Sequence, residues 1–197
     1  MKSFIIASNN AHKVLELNRI LKPLGIVALT AKQAGVNLDD VEETGSTFAE
    51  NARLKAKAAF EKCNIPSIAD DSGLMVDALN GAPGVFSARY AGPGASDSDK
   101  INKLLCELKD MPMDKRTAAF VCSICCILDS GEMIEVSGRC NGKIAFEPKG
   151  KGGFGYDPVF IAENGKSFAE LSSDEKDMLS HRGCALRALK TELEKRF

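Results

Sequence analysis

The sequence predicts an α/β protein built on a mixed β-sheet with flanking helices. Short apolar runs typical of strands alternate along the chain with segments whose apolar residues recur at helical spacing. The clearest strand pair is a hairpin, in which residues 118–128 and 133–138 flank the turn at residues 129–132. We expect this hairpin to lie in the centre of the sheet. The 197 residues, 44% of them hydrophobic, suit one domain or two closely joined lobes with a substantial core.

The N-terminal elements are predicted to be a strand, a tight loop and a helix. Residues 4–7 form a short apolar run, and Ser8-Asn9-Asn10 interrupts it with residue types that cap helices. Apolar residues then return at helical spacing, at Val14, Leu17, Ile20 and Leu21.

A second helix is predicted from its own start signal. Thr47-x-x-Glu50 is a capping-box pattern, so we expect a helix from Thr47 to Cys63. Asn51 and Lys55 are four residues apart and therefore share one face of that helix.

The middle of the chain is predicted to hold a strand, an irregular stretch and a third helix. Residues 65–69 form a short strand that ends at the pair Asp70-Asp71. Glycines and prolines make residues 81–94 irregular. Ser98 is then expected to cap a helix with the apolar face Ile101, Leu104, Leu105 and Leu108.

The last third of the chain contains a glycine-rich loop and a long helix. The loop covers residues 150–158, and the helix opens at residues 172–175 and continues past His181-Arg182 to the C-terminus. Its predicted apolar stripe is Leu179, Leu186, Leu189 and Leu193.

Charge and apolar run lengths exclude several classes of protein. Twenty-six Lys and Arg against 27 Asp and Glu give a net charge of −1, which supplies no broad positive field for nucleic acid. No run of apolar residues is long enough to span a membrane, and the run at residues 4–7 is too short for a signal peptide. We therefore expect a soluble cytoplasmic protein.

The seven cysteines are expected to be reduced core thiols, since their number is odd and several lie in apolar runs. Cys122 and Cys125 form a C-x-x-C, but a strand there would direct them to opposite faces. A zinc site is therefore disfavoured.

Glu43, Lys55, Asp70 and Asp71 are the strongest candidates for chemistry. Adjacent carboxylates at the end of an apolar strand are costly unless a cation lies among them. Hard oxygen ligands favour Mg²⁺, whose coordination is usually completed by water and substrate phosphates. The alternative is that the aspartates cap a turn before Ser72-Gly73 and that the glutamate is solvated.

The loop at residues 8–13 is a candidate phosphate site. Free backbone N–H groups at a helix start bind anions, and Lys13 in the first turn opposes the helix dipole unless an anion is near. An ordinary Asn N-cap beside a solvated lysine explains the same residues.

The glycine-rich loop at residues 150–155 fits neither a Walker A motif nor a dinucleotide fingerprint. It delivers an aromatic ring, Phe154, and a carboxylate, Asp157, which suit a flat heterocycle. A simple hydrophobic turn is the alternative.

Arg182 lies on the predicted leucine stripe, either as a snorkelling side chain or as a donor that lines a cleft beside His181.

Taken together, these segments resemble the inosine triphosphate pyrophosphatase family over the whole chain. The matching motifs are residues 8–13, 42–45, 50–55, 69–73, 81–90, 152–158 and 180–183. The resemblance implies a single domain over residues 1–197, an elongated sheet, two lobes around a central nucleotide cleft, and a homodimer. It also implies hydrolysis of ITP, dITP and XTP to the monophosphate and diphosphate.

The resemblance also assigns roles to residues. Asp71, Lys55 and Asp70 are implied to be catalytic, with Asp71 preparing water, and Glu43 and Asp71 to hold Mg²⁺. Lys13, Lys55 and Lys176 are implied to meet phosphates, Phe154 to stack on the base, and Asp157, His181 and Arg182 to read its edge. The full set implied to contact substrate is Ser8, Asn9, Asn10, Ala11, His12, Lys13, Ser72, Phe154, Gly155, Tyr156, Asp157, Lys176, His181 and Arg182.

Two other functions stay open at this point. One is a related pyrophosphatase that prefers pyrimidine or modified nucleotides. The other is a nucleotide-sensing module without turnover, although such a module has no need for Glu43, Asp71 and Lys55 together.

Overall fold

The computed structural model describes residues 2–8, 10–38 and 40–196, without the side chains of residues 2, 11, 12, 20 and 24. The strands are β1 (Lys2–Ile6), β2 (Ile26–Thr30), β3 (Ser67–Val76), β4 (Thr117–Ile127), β5 (Met133–Ile144) and β6 (Phe160–Ala162). The helices are α1 (Ala11–Leu21), α2 (Phe48–Cys63), α3 (Asp97–Glu107), α4 (Ser173–Leu179) and α5 (His181–Glu194).

The strands of the described residues form a mixed sheet in the order β2-β1-β3-β4-β5-β6. β1 runs parallel to β2 and to β3, and β5 runs antiparallel to β6. The predicted α/β fold with a mixed sheet is therefore confirmed, and both strands of the predicted hairpin, β4 and β5, lie inside the strand order. Within the described part of the chain, no helix has the length and apolarity needed to cross a membrane.

The chain divides into two compact units. The first unit consists of residues 1–71, 122–138 and 182–197, and the second of residues 72–121 and 139–181. β3, β4 and β5 have 10, 11 and 12 residues, and each supplies residues to both units.

Strand alternation gives the first unit a core on each face of its strands. Even-numbered residues of β1, β3 and β4, such as Phe4 and Cys122, pack with the apolar residues of α1 and α5. Odd-numbered residues, such as Ile5 and Cys125, pack with the alanines of α2. Cys122 and Cys125 thus lie on opposite faces of β4, as the sequence predicts.

The second unit has a core of its own, in which α3 packs with the second-unit parts of β3, β4 and β5 and with β6. The prediction that Ser98 caps α3 is wrong, because Ser96 is the N-cap. Ser96 and Asp99 exchange the reciprocal hydrogen bonds of a capping box, whereas Ser98 has the apolar Ile101 at the corresponding position. The buried members of this core include Leu74, Leu104, Leu108, Phe120, Tyr156, Phe160 and Phe168.

β3 is longer than the sequence predicts, and this changes the position of the two aspartates. The strand begins at Ser67 and continues through Asp70 and Asp71 to Val76. The prediction of a strand that ends at the aspartates is therefore wrong, and so is the alternative of a turn capped by them. Polar residues with low strand propensity continue the strand because their charges are paired within the fold.

The predicted C-terminal helix is two helices. α4 ends at Leu179, and Ser180 has an extended backbone with φ −70° and ψ 155° before α5 begins. This break shifts the helical phase, so Leu179 is 41% exposed and does not continue the buried stripe of Leu186, Leu189 and Leu193.

Candidate active site

The start of α2 is fixed by interactions within its own sequence. Thr47 Oγ1 accepts a hydrogen bond from the Glu50 N–H, and the Glu50 carboxylate accepts from the N–H groups of Ser46 and Thr47. This is the predicted capping box, and it satisfies N–H groups that would otherwise lack helical partners. From this fixed first turn, Asn51 and Lys55 project from one face of the helix.

Lys55 brings two acidic side chains of the first unit together. Its ammonium lies 2.6 Å from Glu43 Oε1 and 3.2 Å from Asp71 Oδ1. Asn51 donates to the other Asp71 oxygen at 3.2 Å and accepts from the Gly45 N–H at 2.8 Å. A Cβ at Gly45 would lie 2.6 Å from Asn51 Oδ1, so only glycine lets the backbone come this close to Asn51. This approach places the nearby Glu43 beside Lys55.

Burial and neighbouring charges shift the pKa of both Asp71 and Lys55. Burial raises the pKa of Asp71 despite the opposing effect of Lys55, and the charge of Glu43 raises it further. Burial would lower the pKa of Lys55, but the nearby carboxylates outweigh burial and raise it. Lys55 therefore stays an ammonium, while Asp71 is a carboxylate with increased affinity for a proton, which suits a general base.

The oxygen atoms around Lys55 also fit a hard divalent cation. Two carboxylates converge on one cationic group, and carboxylate oxygens are ligands that such cations prefer. Among residues 2–8, 10–38 and 40–196, no group of three His, Cys, Asp or Glu side chains could hold a metal ion. A cation at Glu43 and Asp71 would therefore need further ligands from water or substrate.

Asp70 points to the opposite face of β3 from Asp71. Its Oδ2 atom lies 3.0 Å from Lys13 Nζ and 3.3 Å from Arg182 Nε. The Arg182 guanidinium also pairs through Nη1 with Glu16. Asp70 is fully buried and Arg182 is 2% exposed, so these residues form a buried network of alternating charge.

The sequence suggested that the two adjacent aspartates face one shared site, but they do not. Successive residues of a strand point to opposite faces, so each aspartate has its own cations. Burial would raise the pKa of Asp70, but Lys13 and Arg182 outweigh burial and hold its pKa well below the usual value. Asp70 is consequently a fixed anion.

The loop before α1 is organised by short-range hydrogen bonds. Ser8 Oγ accepts from the Asn10 N–H at 3.2 Å, and Asn10 Oδ1 accepts from the Lys13 N–H at 3.3 Å. Asn10 therefore caps α1, and the protein anion that Lys13 meets is Asp70. The predicted contact residue Asn9 lies outside the described residues, as do the side chains of Ala11 and His12.

In the second unit, the glycine-rich loop brings Phe154 and Asp157 to Lys176. The Lys176 ammonium lies 2.6 Å from Asp157 Oδ2 and 4.9 Å from the centre of the Phe154 ring. The same Asp157 oxygen accepts from the Phe154 N–H at 2.9 Å. Gly153 has φ +73°, and a Cβ there would lie 2.0 Å from Asp157 Oδ2, so this turn requires glycine.

His181 is held in an aromatic stack of the second unit. Its ring is parallel to Phe120 at a centroid distance of 4.7 Å and to Phe168 at 6.4 Å. Lys176 Nζ lies 5.8 Å from the Phe168 ring. The stack therefore connects His181 to the Lys176 and Asp157 pair, with both histidine and lysine mostly buried.

Three predicted contact residues have surroundings that the sequence did not indicate. Lys176 is paired with Asp157 in the second unit, because a buried ammonium needs a nearby carboxylate, and its contact with phosphate stays a prediction. Of the two alternatives for Arg182, the snorkelling side chain is wrong, because its buried guanidinium lies between Asp70 and Glu16. Ser72 is a half-buried residue within β3 and does not follow a strand end.

Sequence reasoning missed two residues of the site. Asn51 was recognised as sharing a face with Lys55 but was not given a role, although it binds Asp71. The second residue is Glu16, which pairs with Arg182. Its position one helical turn after Lys13 was the available signal, because residues three apart on a helix share a face.

Comparisons with known proteins place the chain among closely similar sequences. The Ham1 family matches residues 4–192. A protein of Clostridium perfringens named dITP/XTP pyrophosphatase is 48% identical, covering 98% of each chain. This match bears out the resemblance drawn from the sequence motifs.

Solved structures give the same result for the fold. A HAM1 protein from Coxiella burnetii has a TM-score of 0.90 and 42% identity, covering 99% of this chain and 100% of that chain. The Ham1 protein of Staphylococcus aureus has a TM-score of 0.88 and 42% identity, covering 100% of both chains.

Proposed function

Because the chain belongs to the Ham1 family, we propose that it hydrolyses noncanonical purine nucleoside triphosphates, namely ITP, dITP and XTP, to the monophosphate and diphosphate. The observation that carries this proposal is the convergence of the Glu43 and Asp71 carboxylates on the Lys55 ammonium. In such an arrangement the ammonium can bind a polyanion while a carboxylate accepts a proton.

The first unit supplies the groups for the phosphate chain. Lys55 and Lys13 are cations with small exposed fractions, and the Ser8 and Asn10 side chains order the loop before α1. In the proposed reaction, Asp71 accepts a proton from the water that attacks the α-phosphorus, and diphosphate leaves. The raised pKa of Asp71 supports this role, because a more basic carboxylate takes a proton more readily.

Glu43 and Asp71 would also hold a divalent cation, which we propose to be Mg²⁺. When bound, that ion would neutralise charge on the phosphate oxygens. Lys55 and Asn51 keep both carboxylates in place without the ion. Asp70 does not face this group and is a positioning residue for Lys13 and Arg182.

The second unit supplies the groups for the base. Phe154 is the proposed stacking surface. Lys176 lies over its ring and pairs with Asp157. Phe168 contacts both Lys176 and His181. Inosine and xanthine carry a 6-oxo acceptor where adenine carries an amino donor, so a donor such as Lys176 favours the oxo bases. Binding of Arg182 to the edge of the base stays a prediction, because the described partners of its guanidinium are the carboxylates of Glu16 and Asp70.

Three wider expectations remain proposals. These are a single catalytic domain over residues 1–197, a homodimer and a cytoplasmic location. The cytoplasmic location is supported by free cysteines such as Cys122 and Cys125, because cytosolic proteins keep their thiols reduced.

A substrate panel tests the proposed activity. Purified protein is mixed with dITP, XTP, ITP, dATP, dGTP, dCTP or dTTP, with and without Mg²⁺, and released diphosphate is measured. We expect kcat/KM for dITP and XTP to exceed that for dATP by about 100-fold or more, and release to stop without Mg²⁺. Preference for a pyrimidine would contradict the proposal, as would binding without turnover.

A further inference from the structure

We propose that Asp97 is a positioning residue for base recognition, which it supports by holding the backbone of the Phe154 loop. This inference rests on the proposed function, because it assumes that Phe154 stacks on the substrate base. Asp97 is the first residue of α3 and belongs to the second unit, as the loop does.

The contact between Asp97 and the loop is short and specific. Asp97 Oδ2 accepts from the Gly155 N–H at 2.6 Å, and Asp97 Oδ1 lies 2.6 Å from Lys100 Nζ. Lys100 is one helical turn further along α3, so the carboxylate is fixed from two sides. A negative charge in the first turn is also stabilised by the helix dipole.

The Gly155 N–H is part of the peptide plane that follows Phe154. Holding that N–H fixes the orientation of the plane, and thereby the backbone angle ψ of Phe154 and the direction in which its ring projects. A hydrogen bond to a charged acceptor is about twice as strong as a neutral one, so it restrains this angle well.

Other contacts also hold the loop, and one of them reaches the same peptide plane, because the Asp157 N–H donates to the Phe154 carbonyl at 3.2 Å. Phe154 N–H and Lys176 bind Asp157, and the Tyr156 hydroxyl donates to the Ser87 carbonyl at 2.9 Å. These contacts anchor the two ends of the segment. Asp97 supplies a charged acceptor on the other side of that plane, and its 2.6 Å hydrogen bond to the Gly155 N–H is shorter than the backbone bond to the Phe154 carbonyl.

The alternative is a purely structural role, in which Asp97 only stabilises the start of α3. Asp99 provides a matched control, because it lies in the same turn and its carboxylate accepts from Ser96 rather than from the loop. Loss of helix stability alone would follow from either change, whereas loss of loop restraint would follow from a change at Asp97.

The test compares Asp97→Ala, Asp97→Asn and Asp99→Ala with the wild type in steady-state dITP hydrolysis, with thermal melts of each. For Asp97→Ala we expect KM to rise about tenfold with kcat changed less than about threefold, because ring placement is lost and the chemistry is not. Asp97→Asn should restore KM to within about threefold, since its amide oxygen still accepts from Gly155. Asp99→Ala should lower the melting temperature with KM unchanged.

A second measurement does not depend on turnover. Amide hydrogen exchange over residues 150–158 should be faster in Asp97→Ala than in Asp99→Ala. An unchanged KM in Asp97→Ala, or an equal rise in Asp99→Ala, would overturn the inference while an active wild type leaves the proposed function standing. An inactive wild type would overturn both.

Discussion

Asp70 and Asp71 show how one peptide bond can separate two different chemical environments. Asp70 faces Lys13 and Arg182, which lower its pKa, whereas Asp71 lies beside Glu43 and its pKa is raised by burial. Because the two pKa values shift in opposite directions, Asp70 stays an anion and Asp71 can accept a proton. The residue types could be identified from the sequence, but their separation could not, because it depends on β3 continuing through both residues.

The position of Lys55 predicts how the site responds to metal. Its ammonium lies between the carboxylates of Glu43 and Asp71, so it neutralises the ligands that a divalent cation would use. Lys55→Gln should therefore increase the affinity for Mn²⁺ in the absence of nucleotide by about tenfold, as measured by isothermal titration calorimetry.

Lys57→Gln is the control for this measurement. Lys57 lies on the same helix with a 63% exposed side chain and pairs with Glu61. Its removal changes the net charge equally but leaves the site intact. Equal Mn²⁺ affinity in the Lys55 and Lys57 variants would show that the ammonium does not compete with the ion.

Helix α2 is the element whose sequence most directly predicted its place in the site. Its capping box involves residues three apart, so the start of the helix is a local property of the chain. Once that start is fixed, the four-residue spacing places Asn51 and Lys55 on one face, where both meet Asp71.

A cap substitution tests the importance of this helix start. Thr47→Ala removes the hydroxyl that accepts from the Glu50 N–H and should lower the free energy of unfolding by about 1 kcal/mol, measured by urea denaturation. Thr47→Ser keeps the hydroxyl and should stay within a few tenths of a kcal/mol of the wild type. Equal losses in both variants would assign the effect to the missing methyl group.

Elements that depend on contacts distant in sequence were predicted less well. β3 was predicted to end at Ala69, since aspartate is rare in strands, but Lys13, Lys55 and Arg182 compensate the buried charges. The break at Ser180 was also missed, because the leucine pattern continues across it. The pairing of Lys176 with Asp157 was also missed, since the two residues lie 19 apart in the sequence.

At the scale of the whole molecule, the candidate residues fall into two groups, one in each unit. The first unit contains Glu43, Lys55 and Asp71, and the second contains Phe154 and Lys176. The α/β class followed from the order of apolar patterns along the chain, and the motifs identified the family. The strand order could not be read from the sequence, because pairing between strands depends on contacts far apart in the chain.

The central claim is that Asp71 acts in the chemical step rather than in nucleotide binding alone. The most direct measurement is turnover of dITP by Asp71→Asn together with its affinity for dITP, since this substitution keeps the size of the side chain and removes its ability to take a proton. We expect kcat to fall by about 100-fold or more while the dissociation constant for dITP changes by less than about tenfold. Turnover close to that of the wild type would contradict it.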